Sequence, residues 1–115
     1  MSETKYITID ELISLYTTAE IEFLGVVRDI IARKQWDNKE KSTRILNALS
    51  MFGSVEATFY SLITKCDKDN GERSFLHIQK QMRKSLSNMI PNIEDMLEDK
   101  NIFFDPEKLK REDAD

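Results

Sequence analysis

Apolar residues recur at helical spacing in three long segments of this chain, and two of those segments open on the same cap spacing. In the first, Leu12, Tyr16, Ala19, Phe23, Val26, Val27 and Ile30 fall on one side of a helix drawn at ~100° per residue, with Ile13, Leu24 and Ile31 widening one flank. Ser14, Thr18, Glu22, Gly25, Arg28, Asp29 and Arg33 occupy the other side, and only Ile21 breaks the separation. Thr8 stands three residues before Glu11, the capping-box spacing that satisfies the orphan N–H groups of a helix start. A helix from Ile9 to about Lys34 follows.

Asp37 and Glu40 repeat the cap spacing, so a second helix begins near Asn38. Its stripe is Ile45, Leu49, Phe52, Phe59 and Ile63, with Leu46 and Tyr60 on one flank and Met51, Val55 and Leu62 on the other. That arc is broader than the ~100° of a one-sided surface helix, which predicts a central element with more than one neighbour. "CDKDNGERS" reads as the next turn, with Asn70-Gly71 suited to positive φ. A third helix then carries Phe75, Ile78, Met82, Leu86, Met89, Ile93 and Met96, with Pro91 kinking or splitting it. Asp105-Pro106 has the form of a cap followed by Pro at the first helical position, so a short last helix is expected.

The fold class expected is all-α: a small antiparallel bundle of three long helices plus a short C-terminal helix. Residues 1–104 form the helical domain, and 105–115 a short charged helix or disordered tail. With 115 residues the chain buries a core without staples, and its 3 Gly and 2 Pro disfavour a turn-rich β fold. The net charge of -4 and the pI of about 5.1 argue against nucleic acid or an anionic membrane surface as partner. No apolar run approaches the length that spans a bilayer, and the polar start MSETK is not a signal peptide. The single cysteine, Cys66, forms no internal disulfide and is in phase with Phe59 and Ile63, which predicts a small core residue and a reducing, cytoplasmic setting.

The chemistry-bearing residues do not assemble into a site, so no catalytic, cofactor-binding or metal-binding residue is assigned, no cofactor is expected, and the chain does not read as an enzyme. His77 is the sole histidine and falls on the polar face of the third helix. Zinc needs several Cys or His ligands, and no Glu stands three residues before His77 as in di-iron bundles. "DKDNGE" fails as a calcium loop: with Asp67 first, the glycine comes at the fifth place rather than the sixth, and Ile78 stands where a bidentate Glu is needed.

Three short stretches resemble known families. Arg73 and His77 resemble the Arg–His pair of all-α HEPN-type ribonucleases, although three residues intervene where that family has four to six, and Ser74 follows the arginine. "YTTAEIEF", Tyr16 to Phe23, resembles the first helix of nuclease-colicin immunity proteins, without that family's acidic tyrosine-pair motif downstream. Trp36 between two amphipathic helices resembles WXG-type hairpins, with Asn38 in place of their glycine.

Glu56 lies within the apolar stripe of the second helix, one turn from Phe52 and from Tyr60. A carboxylate there must be paired, hydrogen-bonded or protonated, and Gln79 and Arg83 border the third stripe as donors. The favoured reading is a buried, satisfied glutamate with Gly53 beside it easing helix approach; partner contact and catalysis are the alternatives. Met51, Val55 and Leu62, with Phe103 and Phe104, are the candidate interface. The leading function is a non-catalytic interaction or regulatory module: an adaptor, inhibitor, immunity-type protein or assembly subunit. It forms a homodimer and acts on a protein partner through helix-face contacts. The alternatives are a nucleic-acid-associated regulator using Lys39, Lys41 and Arg44 or Lys80, Arg83 and Lys84, and, behind it, a HEPN-like ribonuclease.

Overall fold

The computed structural model describes residues 7–90 and 104–106. Within them the chain forms α1 (Ile9–Ala32), α2 (Asn38–Cys66) and α3 (Lys68–Met89), with no strand among the described residues. Each helix packs on the other two.

The caps fix where each helix starts. Thr8 Oγ1 accepts from Glu11 N–H at 3.1 Å and its hydroxyl donates to the Glu11 carboxylate, also at 3.1 Å. Asp37 Oδ1 accepts from Glu40 N–H at 2.8 Å. The last turn of α1 holds no basic residue of its own; Lys41 Nζ reaches back from α2 to the Ile31 carbonyl at 2.7 Å. Trp36, in the connection, lies under the guanidinium of Arg44, 3.9 Å from its ring centre.

The α2–α3 connection differs from the turn expected at Asn70-Gly71. Asp67 alone separates the helices, closing α2 by donating its N–H to the Ile63 carbonyl and capping α3 by accepting from Asn70 N–H at 3.2 Å. Gly71 is helical and buried, so its use is steric rather than conformational. A Cβ there would come within 2.8 Å of the Ile63 carbonyl oxygen and 2.9 Å of its Cγ2. A hydrogen on Gly71 is what lets α3 fold back on the end of α2.

The third helix runs to Met89, just before Pro91, the residue expected to kink or split it. Ile90 is extended, as the residue before a proline favours. The remainder of that expected helix, Pro91 itself, and nearly all of the expected C-terminal helix lie outside the described residues, as does Phe103.

Pairings across the bundle show that α1 and α3 both run antiparallel to α2: Tyr16 meets Glu56 and Phe23 stacks on Phe52, while Tyr60 meets Glu72 and Glu56 meets Gln79. The core divides into two apolar clusters. One holds Phe23, Val27, Ile45, Leu49, Phe52, Met82 and Leu86; the other holds Leu12, Tyr16, Ile63 and Phe75. Phe104 packs beside the second, at 5.5 Å from Tyr60 and 5.8 Å from Phe75 between ring centres, and Pro106 is fully buried.

Candidate functional site

Two features stand apart from an ordinary three-helix core. One is a polar layer between the two apolar clusters. Glu20, Glu56 and Gln79 are 3%, 1% and 4% exposed, and each helix contributes one of them. Helical position explains Glu20: four residues beyond Tyr16 and three before Phe23, it occupies the centre of α1's inner stripe. Sequence reading singled out Glu56 but passed over Glu20. The signal was its register, which hydrophobicity alone does not weigh.

Glu56 gathers the donors. The Tyr16 hydroxyl donates to Glu56 Oε2 at 2.8 Å, and Gln79 Nε2 lies 3.4 Å from the same oxygen. The amide of Gln79 also donates to the Phe104 carbonyl at 2.8 Å. Arg83, one turn further along α3, adds its positive charge. Neither buried oxygen of Glu20 meets an N–H or O–H donor, because the single Tyr16 hydroxyl proton is committed to Glu56. Both the Glu56 carboxyl and the Tyr16 hydroxyl lie close enough to Glu20 to shift its carboxyl.

Two carboxyl groups side by side in a dry layer do not both ionise. Burial, reinforced by the neighbouring Glu56, pushes the Glu20 carboxyl up to about 9. Burial also raises Glu56, but hydrogen bonds from Glu20, Tyr16 and Gln79 and the attraction of Arg83 all favour its charged form. Burial thus favours the neutral form of both carboxyls, and the donors gathered at Glu56 offset part of that cost there. Tyr16 stays neutral, its phenol raised by burial and by the two acids.

The second feature is on the surface. A groove of about 190 Å³, lined by Thr17, Glu20, Ile21 and Leu24 of α1 and by Ile78, Gln81, Met82 and Ser85 of α3, marks the edge of α1 that faces α3, with Glu20 at its floor. The opposite edge, carrying Leu15, Ala19, Val26 and Ile30, borders α2. On α2, Met51, Val55 and Leu62 share one flank, on the α1 side of the helix and away from Tyr60 and its α3 partner Glu72. The apolar residues here are open: Leu15 is 51% exposed, Val26 48%, Met51 75%, Val55 39% and Leu62 42%. Val26 was expected in the core. Val27, one residue on and ~100° around, fills that position, leaving Val26 outside.

Cys66 also differs from expectation, being exposed. Three residues beyond Ile63 it lies ~60° off the inner direction, and it continues the Leu62 side of α2. Phe104, the other described member of the expected interface, is half-buried against Tyr60 and Phe75 and lies away from Met51, Val55 and Leu62.

Arg73 and His77 lie exposed on α3, where Arg73 donates to Asn70 and His77 pairs with Gln81. Of the basic residues that open α2, Lys41 is committed to the Ile31 carbonyl and Arg44 to Glu40 and Trp36. Lys80, Arg83 and Lys84 line a shallow groove on α3. Among the described residues no group of three His, Cys, Asp or Glu side chains is placed to hold a metal ion, and no helix is long and apolar enough to cross a membrane. Compared with family models, curated proteins and solved structures, the chain matches none.

Proposed function

We propose that this protein is a non-catalytic, cytoplasmic interaction module that works through the outer groove between α1 and α2, and that the first occupant of this groove is a second copy of the chain. The observation that carries the reading is the exposure of Leu15, Val26, Met51, Val55 and Leu62 on adjoining helix edges. Open apolar side chains scattered singly are ordinary, but a continuous strip of them marks a contact site. A two-fold arrangement covers it economically, since one strip buries the other and each residue serves twice. A protein partner of regulatory or assembly type would then act by competing for the strip or by binding the dimer it creates.

The test is the mass in solution. Light scattering or sedimentation at micromolar concentration should give a dimer, and Val55→Glu should give a folded monomer with an unchanged helical spectrum. A monomeric wild-type protein ends the self-association reading. Binding of nucleic acid through Lys80, Arg83 and Lys84 is the second reading, since these three side chains share one groove. It requires an affinity that collapses steeply with added salt, because counterion release governs phosphate contacts.

A further inference from the structure

We infer that the groove between α1 and α3 is a binding site for a small primary amine, its ammonium group seated on the Glu20 carboxyl and its short apolar body lying between Ile21 and Leu24 of α1 and Ile78 and Met82 of α3. The inference is independent of the proposed dimer, which uses the α2 side of α1.

The floor of the groove supplies the head-group chemistry. Glu20 is 3% exposed, and neither of its oxygens has an N–H or O–H donor among the described residues. The donors nearby are committed elsewhere. Thr17, which also lines the groove, donates its hydroxyl to the Ile13 carbonyl at 2.8 Å. Gln81 Nε2 is turned to His77 at 3.1 Å, and the Tyr16 hydroxyl donates to Glu56. A buried acceptor without a donor is a costly feature of a fold, and this one borders an opening rather than a closed core. Among the described residues no lysine or arginine lines the groove, and the second acid, Glu56, stands beside Glu20. The group that fits must therefore bring both donors and positive charge. A primary ammonium carries three N–H donors on one compact centre, and it favours the ionised form of Glu20 over a protonated one.

The walls set the size of the rest. From Thr17 to Leu24 the groove follows α1 for about two turns, roughly 10 Å. Its volume of about 190 Å³ is a little above the ~150 Å³ that encloses benzene. A single ring on a short arm, or an alkyl chain of similar bulk, fills that space. A stable protein partner needs about 800 Å² of each surface, which a groove of this length does not offer. A small molecule needs only concavity, apolar walls and a few placed polar groups. Ile21, Leu24, Ile78 and Met82 provide the walls, and Glu20 is the one charged residue among them.

The probe is phenethylammonium chloride, titrated into the full chain at neutral pH and constant ionic strength and followed by methyl NMR and calorimetry. Half-saturation should fall below about 10 mM, the affinity of a poorly fitted ligand of this size. The shifts should centre on the methyls of Ile21, Leu24, Ile78 and Met82. Phenethyl alcohol has the same body without the charge and should bind at least about tenfold more weakly. Glu20→Gln should bring that preference below about threefold while leaving the affinity for the alcohol nearly unchanged. Ile21→Lys decides the case if Glu20→Gln does not fold. Ile21 is 63% exposed, so the helix tolerates the change. An ammonium at the mouth of the groove competes with the probe and should lower the preference by at least about threefold. No saturation by about 10 mM, equal affinity for amine and alcohol, or shifts centred elsewhere overturns the site, as does a preference that survives either folded variant. Nα-acetyl-lysine amide offers the same head on a peptide backbone. Tighter binding of it than of the free amine would give the groove to a lysine of a protein partner and overturn the small-molecule assignment. Shifts of the same methyls on raising the protein concentration alone would place a second copy there, with the same consequence.

Discussion

The polar layer and the α1–α2 groove are inversions of one another. Inside the bundle, Glu20, Glu56 and Gln79 occupy positions where apolar side chains would be ordinary; outside it, Leu15, Val26, Met51, Val55 and Leu62 stand where polar ones would be. The contrast within α1 is the sharpest. Glu20 is buried and Val26 is open, although residue type alone would exchange them. Position around the helix has overruled composition in both places. The consequences differ, because a buried polar group is satisfied from within the chain or not at all, whereas an exposed apolar group is stable as it stands and gains only if something covers it. One region thus determines how the helices register on each other, since sliding α1 along α2 would strand the Tyr16 hydroxyl and the Glu56 carboxylate. The other contributes little to the fold and is available for association.

With the Glu20 carboxyl raised by burial, pH should act strongly on the inner region. Glu20 has its folded value raised above its unfolded one, so its stabilising contribution is complete below about pH 4.5, declines as the pH rises, and is gone by about 9. The slope is at most about 1.4 kcal/mol per pH unit, one proton's worth, which makes this the largest effect expected. Urea midpoints should fall across that window in wild type and change much less in Glu20→Gln. Parallel curves for the two proteins would mean that Glu20 does not carry the pH dependence.

Removing the acceptor comes next. Glu56→Ala leaves the Tyr16 hydroxyl and one donor of Gln79 facing an apolar gap and should cost about 1–3 kcal/mol. Glu56→Gln should keep the fold, because its carbonyl still accepts from Tyr16 and its NH2 supplies the donor that Glu20 lacks. Equal stability of both variants in chemical denaturation would mean that Glu56 makes no net contribution.

These two tests also show where sequence reading succeeds and where it stops. Helical phase and cap spacing placed α1 and α2 closely, because Thr8, Asp37 and the inner stripes are local features. The start of α3 was misplaced because Asn70-Gly71 carries two meanings: glycine serves positive φ in a turn and close approach in a helix, and only the position of Ile63 decides between them. Glu56 was conspicuous as an acid among apolar neighbours, yet its partners Tyr16 and Glu20 come from a segment 40 and 36 residues earlier in the chain. Such pairing depends on which helix edges meet, and no periodicity within one helix contains that information. Cys66 and Val26 failed for a smaller reason, a phase offset of a residue at the edge of a stripe.

On the outer face the expected effects on stability are small, and those on assembly decisive. Val55→Glu should alter the stability of the folded chain by no more than about 0.5 kcal/mol, because its side chain is already open to water. The dimer, however, would place that carboxylate against an apolar surface, and the solution mass should fall to that of one chain. Global unfolding instead would mean that Val55 supports the intrachain core.

The smallest effect is the most discriminating, since α1 has exposed apolar residues on both of its edges. Val26 borders α2, whereas Ile21, 63% exposed, borders α3 at the 190 Å³ groove. Ile21 is the larger and the more open of the two, so general surface hydrophobicity would make it the more important. A contact confined to the α1–α2 strip reverses that order. Val26→Glu should weaken association by at least about tenfold, roughly 1.4 kcal/mol, because it adds an unpaired charge to the covered strip. Ile21→Glu should change neither the mass nor the stability beyond about 0.5 kcal/mol, because its edge is outside that strip. Sedimentation of the two variants at matched concentration separates the cases. If Ile21→Glu dissociates the dimer and Val26→Glu does not, the contact runs along α1 and α3, and the contrast between the polar layer and the α1–α2 groove fails at its outer half.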